Sequence, residues 1–136
     1  MRRFPPDDPR EWLRRARSNL SQARHGRDYP DICLEDLCHQ CQQAVEKALK
    51  AILLALNVRF PYTHNVGVLL SLIEEAGQAV PPEARRSAGL SDYAVQARYP
   101  GLTEPVSEQE YADALALASA VVSWAEQLIA ARQAEA

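Results

Sequence analysis

The sequence predicts an all-α fold, a four- to five-helix antiparallel bundle of the up-and-down type. Apolar residues recur at spacings of three and four along several segments, which is the period of a helix with one buried face. No stretch alternates between apolar and polar residues as a half-buried strand does. The 136 residues suffice for one domain with a real core and are too few for two ordinary domains. We therefore expect a tail at residues 1–6 and one domain at residues 7–136.

The first helix is expected to begin at Pro9 and to run to about Arg24. Asp8 can cap its first turn, and a proline has no N–H to lose at that position. Gly26 is expected to end the helix. The residues predicted to form its buried stripe are Leu13, Ala16, Leu20 and Ala23.

The second helix is predicted to follow the turn HGRDYP, with Asp31 as a candidate cap, and to reach about Asn57. Its stripe is wide enough for a core helix. A third, shorter helix fits residues 65–76, capped by Thr63 or Asn65 and stopped by Gly77. The apolar stripe of the second helix consists of Leu34, Leu37, Cys38, Cys41, Val45, Ala48, Leu49, Ile52 and Leu56.

Residues 78–105 form the least regular segment and contain four prolines. Pro82 can open a short helix there and Ser91 another, and an irregular segment on a rigid scaffold is a common place for a binding site. Ser107 and Glu110 then have the spacing of a capping box, which predicts the start of a last amphipathic helix that runs towards the C-terminus.

Composition excludes several classes of protein. Hydrophobic residues at 47% and charged residues at 24% are ordinary globular values, which argue against disorder. The longest apolar run that we identify, around residues 51–56, is far shorter than the ~20 residues of a membrane span, and residues 1–10 lack the apolar core of a signal peptide. Three cysteines are an odd number and suit a reducing compartment. We expect a cytoplasmic protein with no membrane partner.

The net charge of −3 is unevenly distributed along the chain. Residues 1–27 contain eight arginines and three acidic residues, a net +5, so the remainder carries −8. Arg10, Arg14, Arg17 and Arg24 share one face of the first helix. They could contact phosphates, or they could keep a surface helix soluble and cover apolar neighbours with their stems.

The stretch CHQCQQAVEKALKA, residues 38–51, raises the question of a metal site. Structural zinc usually needs four converging ligands, but His39 points about 100° away from Cys38 and no second ligand pair exists. We therefore predict no metal and no cofactor, with the cysteines in the core. On another face His39, Gln43, Glu46 and Lys50 form a polar line. This line could bind a ligand, but the favoured interpretation is a solvated face with Glu46 and Lys50 as an ordinary surface pair.

Two further motifs contain candidate site residues. RFPYTH, residues 59–64, combines Arg59 with His64, a pair that could stabilise a phosphorane and move a proton in RNA cleavage. DYAVQARYPG, residues 92–101, contains Arg98 and Tyr99, which could pair with a phosphate and stack on a base. Its tyrosines could equally be half-buried packing residues. Glycine-rich phosphate loops, GxSxG and HExxH are absent from the sequence.

Taken in order, QAVEKALKA, then PYTH, then RYPG before a last helix resemble the HEPN family over nearly the whole chain. The resemblance implies a bundle of four or five helices, commonly a homodimer, that acts with a minimal nucleotidyltransferase. It also implies nucleotide binding. Some members of the family are ribonuclease toxins of toxin–antitoxin pairs, with an R-x4-6-H motif near the start of a late helix.

This sequence departs from the toxin pattern, because Arg98 is followed by no histidine. Arg59 and His64 have the spacing, but between the second and third helices. We therefore carry over no catalytic residue; the question of an enzyme stays open, and the missing motif favours a protein without ribonuclease activity.

The function predicted from the sequence is a dimeric binding partner of a nucleotidyltransferase that possesses a nucleotide site. The alternatives are a ribonuclease toxin acting on RNA, and a non-catalytic dimerisation scaffold. The predicted nucleotide-binding residues are Lys47, Lys50, Arg98, Tyr99 and His64.

Overall fold

The computed structural model describes residues 4–93 and 105–135, which form a bundle of α-helices. Short 3₁₀ turns follow the first helix at Gly26–Asp28 and the fourth at Ser87–Ser91. The described residues contain no strand, so the predicted all-α bundle is confirmed. The helices are α1 (Pro9–His25), α2 (Leu34–Ala55), α3 (Val66–Glu75), α4 (Pro82–Arg86) and α5 (Glu108–Glu135).

The first helix begins as predicted and buries the predicted stripe. The Asp8 carboxylate accepts a hydrogen bond from the Arg10 N–H at 2.9 Å, and Pro9 is the first helical residue. Gly26 follows His25, the last residue of α1, and its φ of −59° lies in the right-handed helical region. Gly26 lies close to α2, because a Cβ at this position would meet the Leu37 Cδ2 methyl, which would then have to shift. All four stripe residues are buried, namely Leu13, Ala16, Leu20 and Ala23.

The second helix has an uncapped start and a well-defined end. It begins at Leu34, with Cys33 at the N-cap and no side-chain cap, so the expected capping by Asp31 is wrong. At its end Asn57 adopts a left-handed φ of 59°. The N–H of Val58 then donates to the carbonyl of Leu53 at 2.9 Å, which is the Schellman arrangement that turns the chain out of the helix.

The ends of α3 and the start of α5 confirm three signals read from the sequence. The Asn65 side chain accepts from the Val68 N–H at 3.2 Å and caps α3, and Gly77 ends it with a φ of 88°. Ser107 and Glu110 form the predicted capping box, with reciprocal backbone to side-chain bonds of 3.1 Å. Local signals therefore suffice to place these helix boundaries.

α2 is the central element and packs against α1, α3 and α5. α1 is antiparallel to α2, since Trp12 lies beside Lys50 near one end while Gly26 meets Leu37 near the other. α5 is antiparallel to α1, because the Tyr111 hydroxyl near its start donates to the carbonyl of Ala23 at 2.8 Å. α2 and α5 consequently run in the same direction.

α5 is apolar along much of its length. By length and composition it could cross a membrane, with a mean hydropathy of 1.5 over its most apolar window, one third of which is buried in the bundle. This length contradicts the expectation that no apolar segment of the chain is long enough to span a membrane. A single helix of this kind is weak evidence, because the core helix of a globular bundle passes the same test.

The start of the described chain folds back on α1. The Phe4 N–H donates to Glu11 at 3.1 Å, and the Trp12 indole N–H donates to the carbonyl of Pro6 at 2.8 Å. Residues 4–6, assigned from the sequence to the tail, therefore contact the first helix.

Candidate ligand-binding site

Glu46 and Lys50 of α2 form a buried ion pair. The Lys50 Nζ lies 3.0 Å from Glu46 Oε2, and Lys50 and Glu46 are 5% and 3% exposed. The interpretation of this pair as an ordinary solvated one is therefore wrong. Trp12 from α1 and Phe60 from the α2–α3 connection cover it, with ring centroids 5.5 Å and 5.9 Å from the ammonium. The spacing of four residues predicts the pair, but it does not predict its burial, because the two covering rings come from other parts of the chain.

The Glu46 carboxylate is the centre of a polar cluster. Its Oε1 lies 3.0 Å from His64 Nδ1 and accepts a hydrogen bond from the Gln42 Nε2 at 3.1 Å. With Lys50 on Oε2, three side chains contact one buried carboxylate. Such a carboxylate is satisfied in the way that a buried charge requires.

Gln42 also anchors the backbone of the connection between α2 and α3. Its Nε2 donates to the carbonyl oxygen of His64 at 3.2 Å, while its Oε1 accepts from Gln43 Nε2 at 2.7 Å. His64 is thus held at both its main chain and its ring by side chains of α2. We name Gln42, Glu46, Lys50 and His64 the Glu46 cluster.

The outer edge of the Glu46 cluster faces solvent. The His64 side chain is 54% exposed although its Nδ1 lies against a buried carboxylate. The Tyr62 side chain is 91% exposed, and its ring meets the His64 ring edge-on with centroids 5.3 Å apart. Arg59, earlier in the same connection, is exposed as well. An aromatic face, an anchored imidazole and a guanidinium therefore occur within six residues.

The structure brings together two of the five residues predicted to bind a nucleotide, Lys50 and His64. Lys47 instead donates to the Asn19 Oδ1 of α1 at 2.7 Å, and burial lowers its pKa from the usual lysine range. Arg98 and Tyr99 lie outside the described residues. Gln42 is not among the predicted site residues, although its spacing of four residues before Glu46 on one helix is a signal visible in the sequence.

The arginines of α1 make contacts within the chain. Arg10 pairs with Asp8 and Arg17 with Glu126 of α5, at 2.7 Å and 2.8 Å. Arg24 donates to Ser119 of α5 at 3.1 Å. Arg14 lies 2.7 Å from Glu11, and its hydrogen bond holds the pKa of that carboxyl well below its usual range. These contacts within the chain favour the interpretation of the stripe as the solvated face of a surface helix over that of a phosphate-binding face.

The two cysteines of the apolar stripe lie in the core, as predicted. Cys38 and Cys41 are fully buried and Cys33 is exposed. Within residues 4–93 and 105–135 no group of three or more histidine, cysteine or acidic side chains is placed to hold a metal ion. Burial raises the pKa of Cys38 and of Cys41 to about 12, from an ordinary value of 9.0.

These thiols predict a loss of stability in alkaline solution. A raised pKa in the folded state means that their contribution is fully present below pH 9 and is lost as the pH rises towards about 12. We expect the free energy of unfolding, measured by denaturant titration, to fall between pH 9 and pH 12. It should fall less steeply in a Cys38→Ala, Cys41→Ala double variant. Equal slopes would contradict the assignment, and Cys33→Ala is the exposed control.

The fold and the Glu46 cluster define an all-α bundle with an anchored, exposed histidine at the connection between its central helix and the next. Comparison with known families then identifies the chain: the HEPN domain model matches residues 9–128, and the protein belongs to the HEPN family. No curated protein matches the sequence.

Two solved structures are similar to this chain. TT1696 from Thermus thermophilus is 30% identical, with a TM-score of 0.76 over 88% of this chain and 97% of that one. ST0689, an archaeal HEPN homologue, is 21% identical, with a TM-score of 0.70 over 95% of this chain and 99% of that one. The second likeness supports the fold.

Proposed function

We propose that this HEPN protein acts as a dimeric binding partner of a nucleotidyltransferase and binds a nucleotide beside His64. The observation that supports a ligand at this place is the exposed Tyr62 ring next to an imidazole that Glu46 and Gln42 hold in position. A held imidazole loses little freedom on binding, and an exposed aromatic face accepts any nucleobase by stacking.

Isothermal calorimetry with a panel of nucleotides tests the nucleotide site. Stacking of a base on an aromatic ring is worth about 1–3 kcal/mol, so Tyr62→Ala is expected to raise the dissociation constant by about 5- to 150-fold. Tyr29→Ala is the matched control, because Tyr29 is also exposed, at 64%, but follows α1 and lies outside the Glu46 cluster. Absence of heat with every nucleotide, or equal loss in both variants, would contradict the proposal.

The partner and the dimer need separate measurements. Co-purification from the native cell, followed by mass spectrometry, is expected to recover a nucleotidyltransferase. Sedimentation of the purified chain is expected to give twice the monomer mass. Recovery of no nucleotidyltransferase would remove the partner from the proposal, and a monomer mass at working concentration would remove the dimer. Arg98, Tyr99 and Lys47 remain predicted contributors to binding.

A ribonuclease is the second candidate, and the contact of Glu46 with His64 Nδ1 favours it. A carboxylate behind an exposed histidine is the usual arrangement for orienting a general base, and exposed Arg59 precedes it. If RNA is cleaved, His64→Ala is expected to lower the rate by about 10²–10⁴-fold. His25→Ala, at an exposed histidine of α1, serves as the control. Equal cleavage by wild type and His64→Ala, or none by either, would eliminate this candidate.

A further inference from the structure

The Glu46 cluster restricts which nitrogen of His64 carries a proton. An ionised carboxylate only accepts hydrogen bonds. The Glu46 carboxylate accepts from Lys50 Nζ at 3.0 Å on Oε2 and from Gln42 Nε2 at 3.1 Å on Oε1, so both of its oxygens act as acceptors. His64 Nδ1, 3.0 Å from the same Oε1, can approach so closely only as an N–H donor.

The other ring nitrogen, Nε2, is not engaged by the Glu46 carboxylate. Nδ1 is turned to a carboxylate that is 3% exposed, while the His64 side chain as a whole is 54% exposed. Nε2 lies on the opposite side of the imidazole. In a neutral ring with a proton on Nδ1, Nε2 carries a lone pair and accepts a hydrogen bond. Free histidine prefers the opposite arrangement, so the cluster selects the minor tautomer.

We infer that Glu46 is a positioning residue that fixes His64 as the Nδ1–H tautomer, and that Nε2 accepts a hydrogen bond from a ribose hydroxyl of the bound nucleotide. The second half of this inference rests on the proposed nucleotide site. The charges of Glu46 and Lys50 compensate each other, so this buried pair offers no net positive charge to a phosphate. A base stacked on Tyr62, whose ring is 5.3 Å from that of His64, brings its attached sugar next to the imidazole.

The tautomer is measured directly on the ligand-free protein. Nitrogen-15 NMR of the histidine rings, at a pH where imidazole is neutral, distinguishes Nδ1–H from Nε2–H, and the His64 signal is assigned by its loss in His64→Ala. We expect Nδ1–H for the wild type. Glu46→Gln should shift His64 towards Nε2–H, because the amide nitrogen can donate to Nδ1 while its oxygen accepts from Lys50. Glu75→Gln, at an exposed position of α3, should leave the tautomer of His64 unchanged. A wild-type His64 in the Nε2–H form overturns the inference.

The ligand half is tested by calorimetry with ribonucleoside monophosphates, their 2′,3′-dideoxy counterparts and inorganic phosphate. Loss of one hydrogen bond should weaken dideoxynucleotide binding by a factor of about three to ten. That difference should disappear in His64→Ala. Equal affinity for both sugars, or binding of inorganic phosphate as strong as that of the nucleotide, refutes the hydroxyl contact. Absence of binding by every nucleotide refutes the proposed function, while the NMR result still decides the tautomer.

Discussion

Glu46→Ala is expected to lower the free energy of unfolding by about 3–5 kcal/mol. The substitution removes the carboxylate and leaves the ammonium of Lys50 buried without its opposite charge, which costs far more than the pair contributes when intact. It also removes the contact that His64 and Gln42 each make with the Glu46 carboxylate. Urea or guanidinium titration at neutral pH, followed by circular dichroism, measures the loss.

The matched control for this variant is Glu74→Ala. Glu74 pairs with Arg85 at 2.9 Å, but both side chains are well exposed, so the loss should be at most about 1 kcal/mol. Replacing both members of the buried pair, as Glu46→Leu with Lys50→Met, should recover much of the stability, because no charge is then left buried. A Glu46→Ala variant no less stable than Glu74→Ala would show that the pair is solvated after all.

Leu53→Ala is expected to cost about 2–5 kcal/mol. Leu53 is fully buried near the end of α2, the helix that contacts three others, and its truncation leaves a cavity that rigid neighbours fill only in part. The midpoint of denaturant unfolding should shift with little change in slope.

Leu54→Ala provides the control at the next position of the same helix. Leu54 has the same side chain and is only partly buried, so its truncation should cost clearly less than that of Leu53. Equal losses at the two positions would mean that the register of α2 against the core differs from the one described.

Local chemistry explains how much of the fold could be predicted. The Asp8 cap, the capping box at Ser107 and Glu110 and the stop at Gly77 involve residues at most four positions apart. The buried stripes follow from the period of a helix, which requires no tertiary information. The predicted role of Asp31 failed because residues 26–28 form a 3₁₀ turn and α2 begins only at Leu34.

The candidate site was only partly predictable, for a physical reason. His64 and Lys50 were identified individually, and Glu46 and Lys50 as a pair, because helical spacing of four residues is visible in the sequence. Burial of that pair depends on Trp12, which is separated from Lys50 by most of two helices and reaches it only because α1 packs antiparallel to α2. The contact between Glu46 and His64 depends in addition on the turn at Asn57 that folds the connection back.

The sequence by itself determined the all-α class, the capped start of α1, the capped start and the end of α3, the start of α5, the apolar stripes and the resemblance to the HEPN family, since each follows from residues close together in the chain. Only the tertiary structure decided that two residues of the polar line of α2, Glu46 and Lys50, are buried in the bundle. It also decided that the His64 ring contacts Glu46 at the solvent-facing edge of this pair. Burial of a charge depends on what covers it, and the covering residues here come from a different helix and from a connection whose path no local pattern specifies.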